Sequence, residues 1–155
     1  MDSESFLEEL LRGPLKSRGF TKARLAWHRQ LEEVVHVLSF QRSAWGGDNY
    51  YVNVGVYLRD LGDEPRPAEN RCHVRARVES MPNALSYAYA LDFEEQLEQR
   101  VREEALLSLI MKAAVPWFES MTDARQVRAR VVSDPGVASR TSVHAKKFFG
   151  LALDE

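Results

Sequence analysis

Between Val34 and Ser80 apolar and polar residues alternate with a period of two, and on either side of that stretch the period lengthens to that of a helix. Val34 to Ser43 and Asn49 to Arg59 are rich in β-branched and aromatic residues and predict strands. Cys72 to Ser80 alternates most cleanly, with Cys72, Val74, Ala76 and Val78 on one side and His73, Arg75, Arg77 and Glu79 on the other. Ala23 to Gln30 is a shorter strand-like piece anchored by Trp27. Trp45 to Asn49 carries Gly46 and Gly47 and predicts a hairpin turn. The charged stretch from Gly62 to Asn70, with Pro65 and Pro67, predicts a surface loop.

The flanks read as helices. Phe6, Leu7, Leu10, Leu11 and Leu15 outline a first helix over residues 5–18, with Ser3 or Ser5 as its cap, a kink or break at Gly13-Pro14, and an end at Gly19. Leu97, Val101, Ala105, Leu109, Ala113 and Phe118 outline a long helix from Phe93 to near Met121, bent at Pro116. Thr122-Asp123 caps a short helix through Val131, Ser133 to Gly136 forms a turn, and Ser142 to Leu153 is a last amphipathic helix. The predicted fold is α+β: an antiparallel four-stranded meander with helices from both chain ends packed on one face. One domain is expected over residues 1–155, with its N-terminal helix at 5–18, sheet at 23–80 and C-terminal helices at 93–153.

Parity assigns the two faces of that sheet. Val74 and Val78 point to the core, matched by Val52, Val54, Val56 and Leu58, and by Leu38 and Phe40, with Val35 and Val37 as exceptions. The outward set is then Gln41, Ser43, Tyr51 and Asn53, together with Tyr57, His73, Arg75 and Arg77. Tyrosine and arginine are enriched at binding hot spots, so this face is the candidate recognition surface. An antiparallel sheet ordinarily has one wet face as well, and residues of these types are common there. Asparagine is poorly suited to a strand, which marks Asn53 either as a recognition residue or as a hydrogen-bonded structural one.

Composition narrows the function classes. Of 155 residues 45% are hydrophobic and 28% charged, which is the balance of a folded chain and not a disordered one. A net charge of −2 provides no overall attraction to nucleic acid. Cys72 is the only cysteine, so no internal disulfide can form. The start, Met1 to Ser5, is acidic and polar, unlike a secretion signal, and the apolar run from Ala105 to Phe118 is too short and broken to span a bilayer. A cytoplasmic chain without membrane contact is expected.

No nucleophile elbow, phosphate-binding loop or zinc-helix motif occurs. His28, His36, His73 and His144 are not spaced as metal ligands, and Cys72 and His73, adjacent on a strand, face opposite ways. Glu94-Glu95 and Glu103-Glu104 sit among arginines as a solvated face, and a lone Gly46-Gly47 pair carries little. No catalytic residue, metal site or cofactor is therefore expected.

Several fragments, taken in order, resemble a known family. They are Leu15 to Lys22 (LKSRGFTK), Trp27-His28-Arg29, Phe40 to Trp45 (FQRSAW), Tyr51 to Tyr57 (YVNVGVY) and Cys72 to Arg77 (CHVRAR). The series resembles domain of unknown function 4304 over residues 6 to about 120. The resemblance implies a bacterial α+β domain with no established activity to carry over. Its positions Gln41, Ser43, Asn53, His73 and Arg75 fall on the outward face.

The reading these observations favour is a non-catalytic protein-binding module, such as an immunity or antitoxin-like protein. A second reading is single-stranded nucleic-acid binding, with Tyr51 or Tyr57 stacking on bases and Arg75 and Arg77 holding phosphate; the charge balance disfavours it. A third is an enzyme or small-ligand binder using His73, Arg75 and Glu79.

Overall fold

The computed structural model of the chain describes residues 1–153. Asp154 and Glu155, the last positions of the expected domain, lie outside the described residues. The fold is α+β with an open antiparallel sheet of five strands, one more than the alternation predicts. They run β1 (Phe20–Ala23), β2 (Ala26–Gln30), β3 (Val34–Arg42), β4 (Tyr50–Leu58) and β5 (Val74–Arg77), each paired with the next. The extra strand is β1, four residues of which only Phe20 is buried, too short to show a period. It closes on β2 through a tight turn in which Arg24 has φ 57°. The expected hairpin between β3 and β4 is present, with Gly46 and Gly47 at φ 82° and 79°, conformations that only glycine adopts readily.

The first helix, α1 (Ser3–Lys16), is capped by Asp2, whose carboxylate accepts from the Ser5 N–H at 2.8 Å. It runs unbroken through Pro14, contrary to the expected kink. Pro14 lies in the last turn, where the missing N–H removes only one helical bond. Leu7, Leu11 and Leu15 enter the same core as Leu38, Val52, Val54, Val56 and Val74.

The long C-terminal helix starts later than expected. Leu85–Leu91 form a 3-10 turn, and Arg102 donates to the carbonyls of Ala90 (2.6 Å), Asp92 (3.0 Å) and Glu95 (2.7 Å), holding residues 90–95 as a loop. The helix α2 (Gln99–Leu109) then passes through a π-turn (Ile110–Ala114) into α3 (Val115–Glu119). Pro116 is the cause: it has no N–H for the carbonyl of Lys112, which accepts instead from Asn83 Nδ2 at 2.8 Å. After α4 (Ala124–Ser133), Asp134 caps a five-residue helix, α5 (Pro135–Ser139), where only a turn was expected. The last helix, α6 (Val143–Phe148), is shorter than predicted and is followed by Gly150 at φ 70°.

The core face is not wholly apolar. Arg29 on β2 and His36 on β3 are cross-strand partners on it. Imidazole Nδ1 of His36 accepts from Arg29 Nε at 3.2 Å, and its Nε2 donates to the Met121 carbonyl at 2.7 Å. Its ring stacks on Phe118 at 4.7 Å, and Arg29 pairs with Glu119 at 2.8 Å. This buried clasp ties the sheet to α3.

Candidate functional site

Parity correctly puts Gln41, Tyr51, Asn53, Gly55, Tyr57, Arg75 and Arg77 on the face opposite Val52 and Val54, as the register of β3, β4 and β5 requires. That face is not all open. The segment 62–72, of which residues 62–70 are expected from sequence to be a plain surface loop, folds back over one half of it. Gln30 donates to the Pro65 carbonyl at 2.7 Å, His28 Nε2 to that of Pro67 at 2.7 Å, and Arg66 to Thr21 Oγ1 at 2.9 Å. Under it Val35, Val37, Tyr57 and Cys72 form a second small core, which explains the valines that broke the parity pattern.

Three sequence expectations are corrected by the burial of this half. Cys72 is buried, but against Gly55 on the outer layer and not beside Val74, because β5 begins only at Val74. Burial and the Glu69 charge push its thiol well above the ordinary range. Tyr57 is buried, its hydroxyl accepting from the Glu64 N–H at 3.3 Å. His73 is also buried; its Nδ1 accepts from the Leu58 N–H at 2.9 Å, and burial, then the neighbouring His144, holds its pKa below the usual imidazole value. Neither Tyr57 nor His73 is available to a partner.

The other half of the face is open and organised. Asn53 Nδ2 donates to Gln41 Oε1 at 2.9 Å, Arg77 Nε donates to Asn53 Oδ1 at 3.4 Å, and the Arg77 guanidinium lies 4.1 Å over the Tyr51 ring. Asn53 is therefore a structurally bound residue, buried like Tyr57 and His73 and contrary to the sequence expectation; it positions Gln41, which is exposed, and Arg77, which with Tyr51 is half-buried. Ser43 lies just past the end of β3, where its hydroxyl accepts from the Trp45 N–H at 3.4 Å. Trp45 itself, at the hairpin tip, is 94% exposed.

Arg75 sits on the border between the two halves. Its Nε and Nη2 donate to the buried Glu69 carboxylate at 2.8 and 2.9 Å, fastening the 62–72 segment to β5. Glu79 uses both oxygens, at 3.1 Å, to accept from the Val52 N–H, and burial raises its pKa. His73 and Glu79 thus cap backbone groups six residues, about 20 Å, apart along β4. The set His73, Arg75 and Glu79 does not converge on one site.

Beyond the open half, the edge of β5 borders two adjoining hollows of about 490 and 370 Å³. Arg75 and Arg77 line both, and so does Arg140, while Arg130 lines the larger. Arg130 is held by Asp134 at 3.4 Å and by Ser120 Oγ. Sequence reasoning missed Arg130 and Arg140, because they come from α4 and the segment after α5 and no spacing links them to β5.

Among the described residues no three histidine, cysteine or acidic side chains come together as metal ligands. No helix among them is long and apolar enough to cross a membrane. The model of one family, Domain of unknown function (DUF4304), matches residues 11–120. The chain belongs to this family. The DUF4304 segment runs from Leu11 in α1 to Ser120 after α3, so it contains the whole sheet, Trp45 and the 62–72 cover, while α4, α5 and α6 follow it. No curated protein and no solved structure matches the chain.

Proposed function

We propose that this chain is a non-catalytic protein-binding module of the immunity or antitoxin-like bacterial kind, acting in the cytoplasm. The open half of the outer sheet face would be its contact surface. In this reading the helices from both chain ends back the sheet on its Val52 face and leave the opposite face to the partner. One observation carries it: a preset array of Gln41, Asn53, Arg77 and Tyr51 lies beside Trp45, which is 94% exposed. Trp, Tyr and Arg dominate binding hot spots, and side chains already held in place lose little entropy on binding. An indole in water has about 150–250 Å² to bury against a partner.

The test is affinity capture of the tagged chain from its native host with quantification of stoichiometric co-purifying protein. Trp45→Ala and Arg77→Ala are each expected to cut recovery at least severalfold, with Arg100→Ala unchanged. Equal recovery with all three variants, or recovery of nucleic acid in place of protein, overturns the reading.

A further inference from the structure

We infer that the cleft around the edge of β5 is a binding site for a small phosphate monoester. Its dianionic group would be held between Arg77 and Arg140 and its organic part laid against the wall formed by Met81, Pro82 and Trp117. This site goes beyond the protein-binding reading; it adjoins that surface, with Arg77 and Asn53 bordering both.

Charge is the first argument. Four arginines and only two carboxylates, Glu69 and Asp134, line the joined hollows, in a chain whose net charge is −2. The two carboxylates are already used. Glu69 holds Arg75 at 2.8 Å and Asp134 holds Arg130 at 3.4 Å. Arg77 and Arg140 have no carboxylate within ion-pair distance among the described residues. Glu79, whose field reaches Arg77, has both oxygens on the Val52 N–H. Two guanidiniums without an ion-pair contact match the charge of a phosphate monoester near neutral pH, whereas a single carboxylate would leave one unmatched. The fork of N–H donors on arginine suits phosphate oxygens.

Pre-organisation is the second. The Arg77 side chain is fixed between Asn53 Oδ1 and the Tyr51 ring. The backbone of Arg140 is sewn to β5, its carbonyl accepting from the Arg75 N–H at 3.1 Å, while Thr141 bridges Val74. Neither guanidinium has to be carried in from solvent on a mobile segment.

Shape is the third. At about 490 Å³ the larger hollow falls within the range of small-molecule sites, roughly 300–1,000 Å³, and its far wall is apolar. The π-turn adds Ala113 to that wall, and π-turns recur at functional sites.

The experiment is isothermal titration of the full chain at low salt with adenosine monophosphate, ribose 5-phosphate, phosphoserine and inorganic phosphate, with adenosine and succinate as controls. At least one monoester is expected to bind saturably, more weakly as salt rises, and adenosine not at all. Arg140→Ala, at an exposed position, should weaken that binding about tenfold or more, Arg140→Glu should abolish it, and Arg100→Ala should leave it unchanged. Melting curves verify that each variant is folded. Absence of any saturable, Arg140-dependent monoester binding overturns the inference, as does equal binding of succinate. Failure of the protein-binding reading is distinguishable: Trp45→Ala should lose the protein partner and keep the monoester, and Arg140→Ala the reverse.

Discussion

Cys72 fills the space that a side chain at position 55 would need: a Cβ built on Gly55 would stand 2.6 Å from both Cβ and Sγ of Cys72. The bare backbone of β4 at that point lets the 62–72 segment close on the sheet. Gly55→Ala forces the two layers apart and is expected to cost about 1–3 kcal/mol, the range for overpacking a tight core. Urea unfolding measures it. Adding Cys72→Gly to Gly55→Ala should recover part of the loss; an undiminished loss would show that the contact does not govern closure.

The Arg75–Glu69 pair is the latch of the same cover, with Glu69 buried and Arg75 about half exposed. Arg75→Ala strands the carboxylate under the segment and should cost about 1–2 kcal/mol, once the exposure of the arginine is allowed for. Cys72 reports on the opening. Its thiol is buried and shifted upward, so it should resist a thiol reagent in the native chain and react several times faster in Arg75→Ala.

His36 makes stability depend on pH. Burial, which dominates, lowers its pKa from 6.5 to about 4, outweighing the hydrogen bond to Met121 that favours the charged form. The unfolded imidazole takes up its proton first as pH falls, so the neutral, buried ring contributes its full stabilisation above about 6.5 and loses it between about 6.5 and about 4. The contribution is roughly 3 kcal/mol. His28 and His73 are shifted in the same direction, chiefly by burial, and add to the slope. Urea midpoints at about pH 7 and about pH 4.5 should fall less steeply for His36→Gln than for the parent chain. Equal slopes would remove His36 from this account.

Asn83 and Pro116 are coupled through one carbonyl. Asn83→Ala leaves the Lys112 oxygen without its donor at 2.8 Å and should cost about 1 kcal/mol. In a Pro116→Ala background residue 116 regains an N–H for that oxygen, so the same Asn83→Ala change should cost measurably less. A double-mutant cycle by chemical denaturation reads the coupling.

Strand alternation alone gave Val52, Val54, Val56, Leu58 and Val74 their shared core face, and with it the outward parity of Gln41, Tyr51, Asn53, Arg75 and Arg77. It could not reveal that Tyr57 is covered, since what covers it is a proline-rich segment with no periodicity of its own, nor that His73 is buried beside Tyr57 and His144 of α6. The contradiction at Val35 and Val37 was the visible trace of that second layer: apolar residues of the outward parity need a cover. The strand Phe20–Ala23 left no trace, because one buried residue in four makes no pattern.

What the chain's own order of residues determined is local and periodic: which residues are strand or helix, and which side of a strand each side chain takes. These follow from backbone geometry within a few residues. Which residues meet was decided only by the tertiary structure. Arg140 reaches Arg75 because residues 140–142 lie along the edge of β5, and Cys72 reaches Gly55 because a loop folds over a bare backbone. Such meetings depend on packing between segments far apart in the chain, and short-range periodicity carries no record of them.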